Sequence, residues 1–260
     1  KSIEIIGGYK ADKIKRSFPE IPLSINKDWR SMGSTGSFLS SHLEKDVPTL
    51  ISYADILFRE SIVKKLRASK KPIAIAWDSK WDPNNSLNNK KVKKINEKIQ
   101  INNNNVLRIG VDIKNELSDG KFIGLARFQP EVINKIISLK SEITRLMEVE
   151  QFSYLIEYLR IKGFEVEAFD VNGEWAEVTE SSDIAAFILG TKAKTLKRLS
   201  KVIKLSKIQD QITFTKESWE NNYQEIVEKI LNLLGTNKEL IIRSSSRNED
   251  SFTSANAGKF

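Results

Sequence analysis

Four places along the chain put chemically capable side chains at the ends of apolar runs or at helix starts. Asp55 closes the run TLISYAD. A carboxylate just past a buried strand offers hard oxygen ligands to Mg²⁺, which binds through one or two acids and bridges to substrate phosphates. At the same position it can instead cap a helix beginning near Leu57. Glu177 and Asp183, in GEWAEVTESSDIAAF, form a second acidic locus, and an acid such as Asp183 also complements a helix N-terminus. Arg243 ends the run ELIIR and meets hydroxyls in SSSRNED, where its planar fork suits bidentate contact with phosphate. Lys192, in LGTKAKTLKRL, opens a helical run and can act as a point charge on a phosphate. The plain alternatives are a solvated lysine and a surface arginine.

Composition narrows the chemistry. The 260 residues contain no cysteine and a single histidine, His42, which excludes disulfides, thiolate metal sites and His-rich metal sites. His42, in SFLSSHLEK, reads as a helical residue. Hydrophobic residues make up 40% and charged residues 29%, the balance of a soluble globular chain. No apolar run approaches the ~18 residues of a membrane span. No basic-then-apolar leader is visible, and a cytoplasmic location fits. The net charge of +8 is spread over interspersed lysines, asparagines and acids. The densest cluster, NNKKVKKINEK, reads as a solvated segment, and the positive field also suits phosphate-bearing substrates; with no nucleic-acid recognition motif or stacking-aromatic pattern, neither nucleic acid nor membrane is expected as a partner.

The elements that must hold these residues follow from periodicity. IEIIGGY, VPTLISYAD and KPIAIAW read as buried strands separated by helices at ADKIKRSF, TGSFLSSHLEK and LFRESIVKKLRAS, a rhythm that indicates a mostly parallel sheet covered on both faces. Residues 78–100 are polar and Asn/Lys-rich, a loop or lid. NVLRIGVDI and KFIGLARF then read as two antiparallel strands, followed by a long helical region over 131–162. FEVEAFDV and EWAEV alternate and are joined by Asn-Gly, a hairpin signal. Ser181 or Ser182 can cap the helix at DIAAFIL. TLKRLSKVIKLSK continues as helix, residues 216–234 form another, and KELIIRSS reads as a last strand.

Taken in order, IIGGYKADKI, VPTLISYADILFRESIVKKL, IAIAWDSKW, NEKI with VLRIGVDI, GKFIGLARF and GEWAEVTESSDIAAF resemble the nucleotidyltransferases that act on sugar phosphates and phosphocholine. The phosphocholine and phosphonate cytidylyltransferase branch is the nearest in pattern, over about residues 3–186. The resemblance implies an α/β fold with a Rossmann-like mixed sheet of the nucleotide-diphospho-sugar transferase type. It also implies a nucleoside triphosphate, such as CTP, condensed with a phosphate- or phosphonate-bearing substrate while pyrophosphate leaves. Asp55 then falls on the family's Mg²⁺ ligand, Glu177 or Asp183 on a second acid, and Lys98 on a lysine that faces substrate phosphates. The family's first strand and its Gly-rich loop with arginine have no counterpart in this sequence, and Thr179 stands where an acid or amide is frequent.

LGTKAKTLKRL, ITFTKESW and LIIRSSSRNEDSFTSANAGKF resemble the opening of the ATP-binding domain of phosphoenolpyruvate synthase and pyruvate phosphate dikinase. There Lys192 and Arg243 fall on residues that contact ATP phosphates. Glu249–Asp250 and Ala257–Gly258 match the acid pair and Ala-Gly that follow, and Thr191 replaces a usual glycine. The expected organisation is therefore a nucleotidyltransferase-like domain over 1–186 and the incomplete beginning of an ATP-grasp-type domain over 187–260. With strands interrupted at both ends, the sequence is expected to be an internal segment of a fusion enzyme. The alternative is a degenerate module that binds a nucleotide or metabolite without transfer chemistry.

Overall fold

The structure, a computed structural model, describes residues 3–81, 95–147, 149–200, 202–235, 239–243 and 245. Glu249, Asp250, Ala257, Gly258 and most of the Asn/Lys-rich stretch expected as a lid lie outside them, as does the side chain of Ser182. The chain divides into two compact units, residues 1–176 and 177–260.

In the first unit, β1 (Ile5–Gly7), α1 (Ala11–Ser17) and β2 (Leu23–Ile25) form a small parallel pair with its crossover helix. After α2 (Ser34–Leu39) come β3 (Thr49–Ser52), β4 (Ile56–Phe58), α3 (Glu60–Ala68) and β5 (Ile73–Asp78). The hairpin β6 (Lys98–Asn102) and β7 (Asn105–Gly110) precedes β8 (Gly120–Phe128). Three helices follow, α4 (Pro130–Ser138), α5 (Lys140–Met147) and α6 (Phe152–Ile161), and then β9 (Val166–Asp170) and β10 (Trp175–Glu177). The main sheet has the order β3-β8-β5-β9-β7-β6, with the start of β6 also pairing with the start of β8.

The sheet is mixed, not mostly parallel. Only β5 and β9 run parallel within it; the other pairings are antiparallel. Its central strands β5 and β8, buried on both faces, carry the continuous apolar runs that parallel sheets also show, so periodicity alone could not tell the two apart. One face packs on α2, α4, α5 and α6 through Phe38, Ile133, Phe152 and Leu155, and the other on α3 through Ile62 and Leu66, together with Trp175. Arg127, buried in β8, donates to the carbonyls of Leu66, Ser69 and Lys71 at 3.0–3.1 Å, satisfying the end of α3 and the bend after it.

Several expected elements differ. Residues 98–100, the end of the stretch read as a loop or lid, fall in β6, because Asn103 and Asn104 both take left-handed φ (47° and 65°) and close a two-residue hairpin. NVLRIGVDI and KFIGLARF are not neighbours; β7 lies between β6 and β9, and β8 between β3 and β5. The Asn172–Gly173 turn exists, with φ of 49° and 73°, but it makes no hairpin. β9 already has β5 and β7 on its two edges, so β10 pairs with β4 instead. The helical region 131–162 breaks into α4, α5 and α6, and the helix at 34 ends at Leu39. His42 therefore lies beyond that helix, its N–H donating to the Glu4 carboxylate at 3.2 Å.

The second unit holds α7 (Ser181–Leu189), α8 (Lys192–Leu199) and α9 (Lys216–Leu234). α8 stops at Leu199 rather than running through KVIKLSK, and residues 239–243 form no ladder among the described residues.

Gly124 in β8 fixes how β3 ends. Its φ is +83°, and a Cβ there would enter the Tyr53 ring, while Tyr53 N–H donates to the Gly124 carbonyl at 2.9 Å. Gly124→Ala is expected to cost about 2–4 kcal/mol, combining left-handed strain with overpacking. Gly163→Ala, at φ +98° with open space around it, is expected to lose only the backbone part, about 1–2 kcal/mol. Urea unfolding of the two variants compares them, and equal losses would show that the Tyr53 contact is not the constraint.

Candidate functional site

β5 and β9 leave the sheet where β6 and β8 begin: Asp170 lies next to Trp77, Asp78 opposite Lys121, and Lys121 opposite Lys98, while β3, running the same way, ends part-way along β8 with Ser52 opposite Leu125. In α/β sheets, ligands bind beyond such strand ends, where loops converge. Asp55 occupies the turn between β3 and β4, exposed, and is not a helix cap, because residues 56–58 are a strand and α3 begins only at Glu60. Among the described residues its carboxylate has no hydrogen bond or ion pair, which leaves its hard oxygens available as Mg²⁺ requires. No group of three His, Cys, Asp or Glu that could hold a metal exists among the described residues.

Asp78, ending β5, is used differently. Its Oδ1 accepts the N–H groups of Gly173 (2.7 Å) and Lys80 (3.1 Å), and its Oδ2 accepts the indole N–H of Trp175 (2.8 Å). Asp170, ending the neighbouring β9, accepts from Ser79 N–H (3.2 Å), Ser79 Oγ (2.6 Å) and Asn172 N–H (2.7 Å). Each aspartate thus holds the loop leaving the other's strand. Lys121 is buried beside them, its Nζ 5.4 Å from the centroid of the Trp175 ring. Sequence reasoning singled out none of these, although IAIAWD repeats the pattern of an apolar run closed by an acid that drew attention to Asp55.

A second polar cluster is almost fully enclosed. Glu97, next to Lys98, accepts from Tyr53 Oη at 2.8 and 3.0 Å and from Ser153 N–H at the start of α6 at 2.9 Å. Tyr53 Oη lies 3.2 Å from Ser34 Oγ, which accepts Phe152 N–H at 2.7 Å. Burial is the largest influence on Glu97 and raises its carboxyl above the ordinary range, against the lowering effect of its donors and of Lys121. Burial and the Glu97 charge push the Tyr53 phenol well up as well. No sequence signal marks Glu97, a lone acid in an asparagine-rich stretch.

Lys98, at the start of β6, donates from Nζ to Asn115 Oδ1 at 3.1 Å. Beside it opens a cavity of about 590 Å³, walled in part by Asn96, Glu150 and Tyr154. In the second unit, Asp183 Oδ2 accepts from Thr179 N–H and Oγ1 and from Glu180 N–H at 2.7–3.0 Å. The start of α7 is thus held by the third residue of the helix, and Ser181 is its first helical residue rather than its cap. Glu177 ends β10, half-buried. Lys192 is the first residue of α8, capped by Thr191, whose side chain accepts from Lys194 N–H. Ala193 N–H donates to Ser245 Oγ at 3.1 Å, which brings the segment carrying exposed Arg243 to the start of α8.

No family model matches the chain. It is similar to the CTP:phosphoglutamine cytidylyltransferase of Campylobacter jejuni, 23% identical over 70% of this chain and 79% of that protein. Among solved structures, the inositol-1-phosphate CTP transferase from T. maritima superposes with a TM-score of 0.51 at 16% identity, covering 78% of each chain. The chain thus has an α/β fold with a mixed sheet of the nucleotide-diphospho-sugar transferase type.

The raised Glu97 carboxyl gives a pH dependence with a definite sign. The folded chain holds this proton more tightly than the unfolded chain. The contribution to stability is complete below the ordinary carboxylate range and is lost as pH rises through the folded value. Glu97→Gln keeps an acceptor without the charge. The variant is therefore expected to gain stability relative to the unsubstituted chain as pH rises from about 4 to 8, measured by urea midpoints. Parallel profiles would exclude Glu97 as the titrating group.

Proposed function

We propose that the chain provides a nucleotidyltransferase domain of the cytidylyltransferase type. A phosphate oxygen of a small phosphate- or phosphonate-bearing acceptor forms a bond to the α-phosphorus of CTP, the bond to the β-phosphate breaks, and pyrophosphate leaves. The observation that carries this reading is that β3, followed by the turn holding exposed Asp55, and β6, which opens with Lys98, both pair with β8 in one mixed sheet. Supporting it are the fold shared with a CTP transferase and the likeness to a CTP:phosphoglutamine cytidylyltransferase. Asp55 would hold Mg²⁺, and by resemblance Glu177 or Asp183 would contribute a second acid. The ion, when bound, supplies charge to the triphosphate. Lys98 would neutralise the acceptor phosphate as its oxygen approaches phosphorus.

Pyrophosphate release from CTP in the presence of Mg²⁺ and small phosphomonoesters tests the reading. Asp55→Asn removes one charge at nearly constant size from an exposed turn. It is expected to lower turnover by about two orders of magnitude or more, as loss of electrostatic stabilisation does, with an unchanged unfolding midpoint. Undiminished turnover in this variant would remove Asp55 from the site.

A second reading belongs to residues 177–260, and the Ala193–Ser245 hydrogen bond favours it by setting Lys192 and the Arg243 segment at one helix start. Here Lys192 and Arg243 would contact ATP phosphates, in an ATP-binding domain like that of phosphoenolpyruvate synthase and pyruvate phosphate dikinase. Charge-assisted hydrogen bonds contribute about 1.5–3 kcal/mol. Arg243→Ala is thus expected to weaken ATP binding by roughly ten- to a hundredfold, with Arg243→Lys recovering part of the loss because an ammonium lacks the planar fork. Equal ATP affinities in titration calorimetry would overturn this second reading and leave the first intact.

A further inference from the structure

Two residues of the proposed reaction stand beside one enclosed hydrogen-bonded pair. Tyr53 follows β3 directly and precedes Asp55 by two positions, while Glu97 immediately precedes Lys98. The Tyr53 hydroxyl donates to both carboxylate oxygens of Glu97, at 2.8 and 3.0 Å. Ser153 N–H donates to the same carboxylate at 2.9 Å, and Ser34 Oγ lies 3.2 Å from the hydroxyl. Glu97 is buried, so bulk water does not make good a donor lost there.

β8 supplies the frame for this pair. Its register with β5 shifts between Leu125 and Phe122, and Gly124, inside that bulge, has φ of +83°. Bulges of this kind re-aim the groups beside a site. From the bulge the Gly124 carbonyl accepts Tyr53 N–H at 2.9 Å. Two residues away, Phe122 N–H donates to the Glu97 carbonyl at 2.8 Å. The Tyr53 ring lies against Gly124 and edge-on to Phe122, with centroids 6.3 Å apart. Two main-chain bonds to β8 and the hydroxyl bond therefore close a ring through Tyr53, Gly124, Phe122 and Glu97. β3 and β6 share no ladder among the described residues, and each meets β8 instead. The hydroxyl is thus a direct side-chain link between the segment leading to Asp55 and the segment leading to Lys98.

We propose that Tyr53 is a positioning residue for nucleotidyl transfer: its hydroxyl braces Glu97 and so sets the spacing between the turn carrying Asp55 and the strand start carrying Lys98. This rests on the nucleotidyltransferase reading, in which Asp55 holds the metal and Lys98 meets the acceptor phosphate. Enclosed against Glu97 and Ser34, the hydroxyl acts through the segments it joins rather than on a reactant. Reaction requires the two bound partners to be aligned, and a misplacement of about 1 Å can cost about a hundredfold in rate.

Tyr53→Phe removes the hydroxyl and keeps the ring on Gly124. Steady-state pyrophosphate release is measured on the whole chain with CTP, Mg²⁺ and either phosphocholine or inositol 1-phosphate as the probe acceptor. In this variant kcat is expected to fall about ten- to a hundredfold, while KM for the probe and the Mg²⁺ half-saturation stay within about twofold. Glu97→Gln keeps an acceptor for the phenol and is expected to retain most of the turnover. The double variant is expected to match Tyr53→Phe alone, since both changes act on one bond. Apart from activity, amide hydrogen exchange at residues 54–56 and 98 is expected to quicken together in Tyr53→Phe. Thermal melts identify a variant that fails to fold; Glu97→Met, which removes the acceptor instead, then takes the place of Tyr53→Phe with the same expected loss. A bond that serves stability alone would lower the unfolding midpoint and leave kcat per folded molecule intact, and that result overturns the proposal. So do a rise in KM at constant kcat, an inactive Glu97→Gln variant, which would assign the pair to proton movement, and exchange that quickens at only one of the two segments. No turnover by the unsubstituted chain with either probe overturns the nucleotidyltransferase reading and this proposal with it; turnover that Tyr53→Phe leaves unchanged overturns the proposal alone.

Discussion

Parallel neighbours must leave a sheet at the same edge, and β5 and β9 are the one parallel pair in this one. Their connection has to cross the sheet, and it does so through β6–β8 and the three helices that cover one face. That crossing brings the starts of β6 and β8 to the same edge as the ends of β5 and β9. Without the parallel pair, Asp170 would lie at the opposite end of the sheet from Asp78, Lys98 and Lys121, which antiparallel pairing sets side by side. The two aspartates then lock the arrangement, each accepting an N–H group from the loop that follows the other's strand. Backbone donors leaving a sheet have no ladder partner, and satisfying them with side chains is what keeps such an edge ordered.

The second constraint is the enclosed cluster around Glu97. Burying a carboxyl group costs free energy unless it is hydrogen-bonded. Here the bonds come from two segments, the end of β3 and the start of α6, and reach the acid at the start of β6, all three far apart in sequence. Satisfying one acid therefore fixes the relative placement of all three. Tyr53 is the hinge of this arrangement, with its ring on Gly124 and its hydroxyl on Glu97. The cavity beside Lys98 inherits this rigidity, since Asn96 and Lys98 flank Glu97 and Tyr154 follows Ser153.

Much of the fold was legible because apolar runs and helical spacing are local. The strands at 49–52, 73–78 and 120–128 and the helices at 60–68 and 216–234 lie where periodicity puts them. Strand pairing is not local. Nothing within NVLRIGVDI or KFIGLARF indicates that each would take other partners, and the Asn-Gly at 172–173 signals a turn without saying whether its flanks pair. The Asn103–Asn104 hairpin carried a signal, since asparagine tolerates left-handed φ, but it was submerged in a run of four asparagines. Of the site, Asp55 and Lys98 came from order and spacing of motifs. Asp78, Asp170 and Glu97 were not singled out, because what distinguishes them is the donors they face, and those come from remote segments.

Asp55 and Asp78 show how little sequence context separates two roles. Asp78 ends β5, and Asp55 follows β3 by three residues, in the turn to β4. Asp78 is buried and accepts three N–H groups, so its lone pairs are committed to holding the Gly173–Trp175 turn. Asp55 stands exposed, and its carboxylate has no partner among the described residues. The difference follows from the strands' positions in the sheet. β5 lies between β8 and β9, so a loop from a neighbouring strand is on hand to donate; β3 is an edge strand, and the chain beyond it turns at once into β4. A central strand end consumes its acid in structure, and an edge strand end leaves its acid available for chemistry.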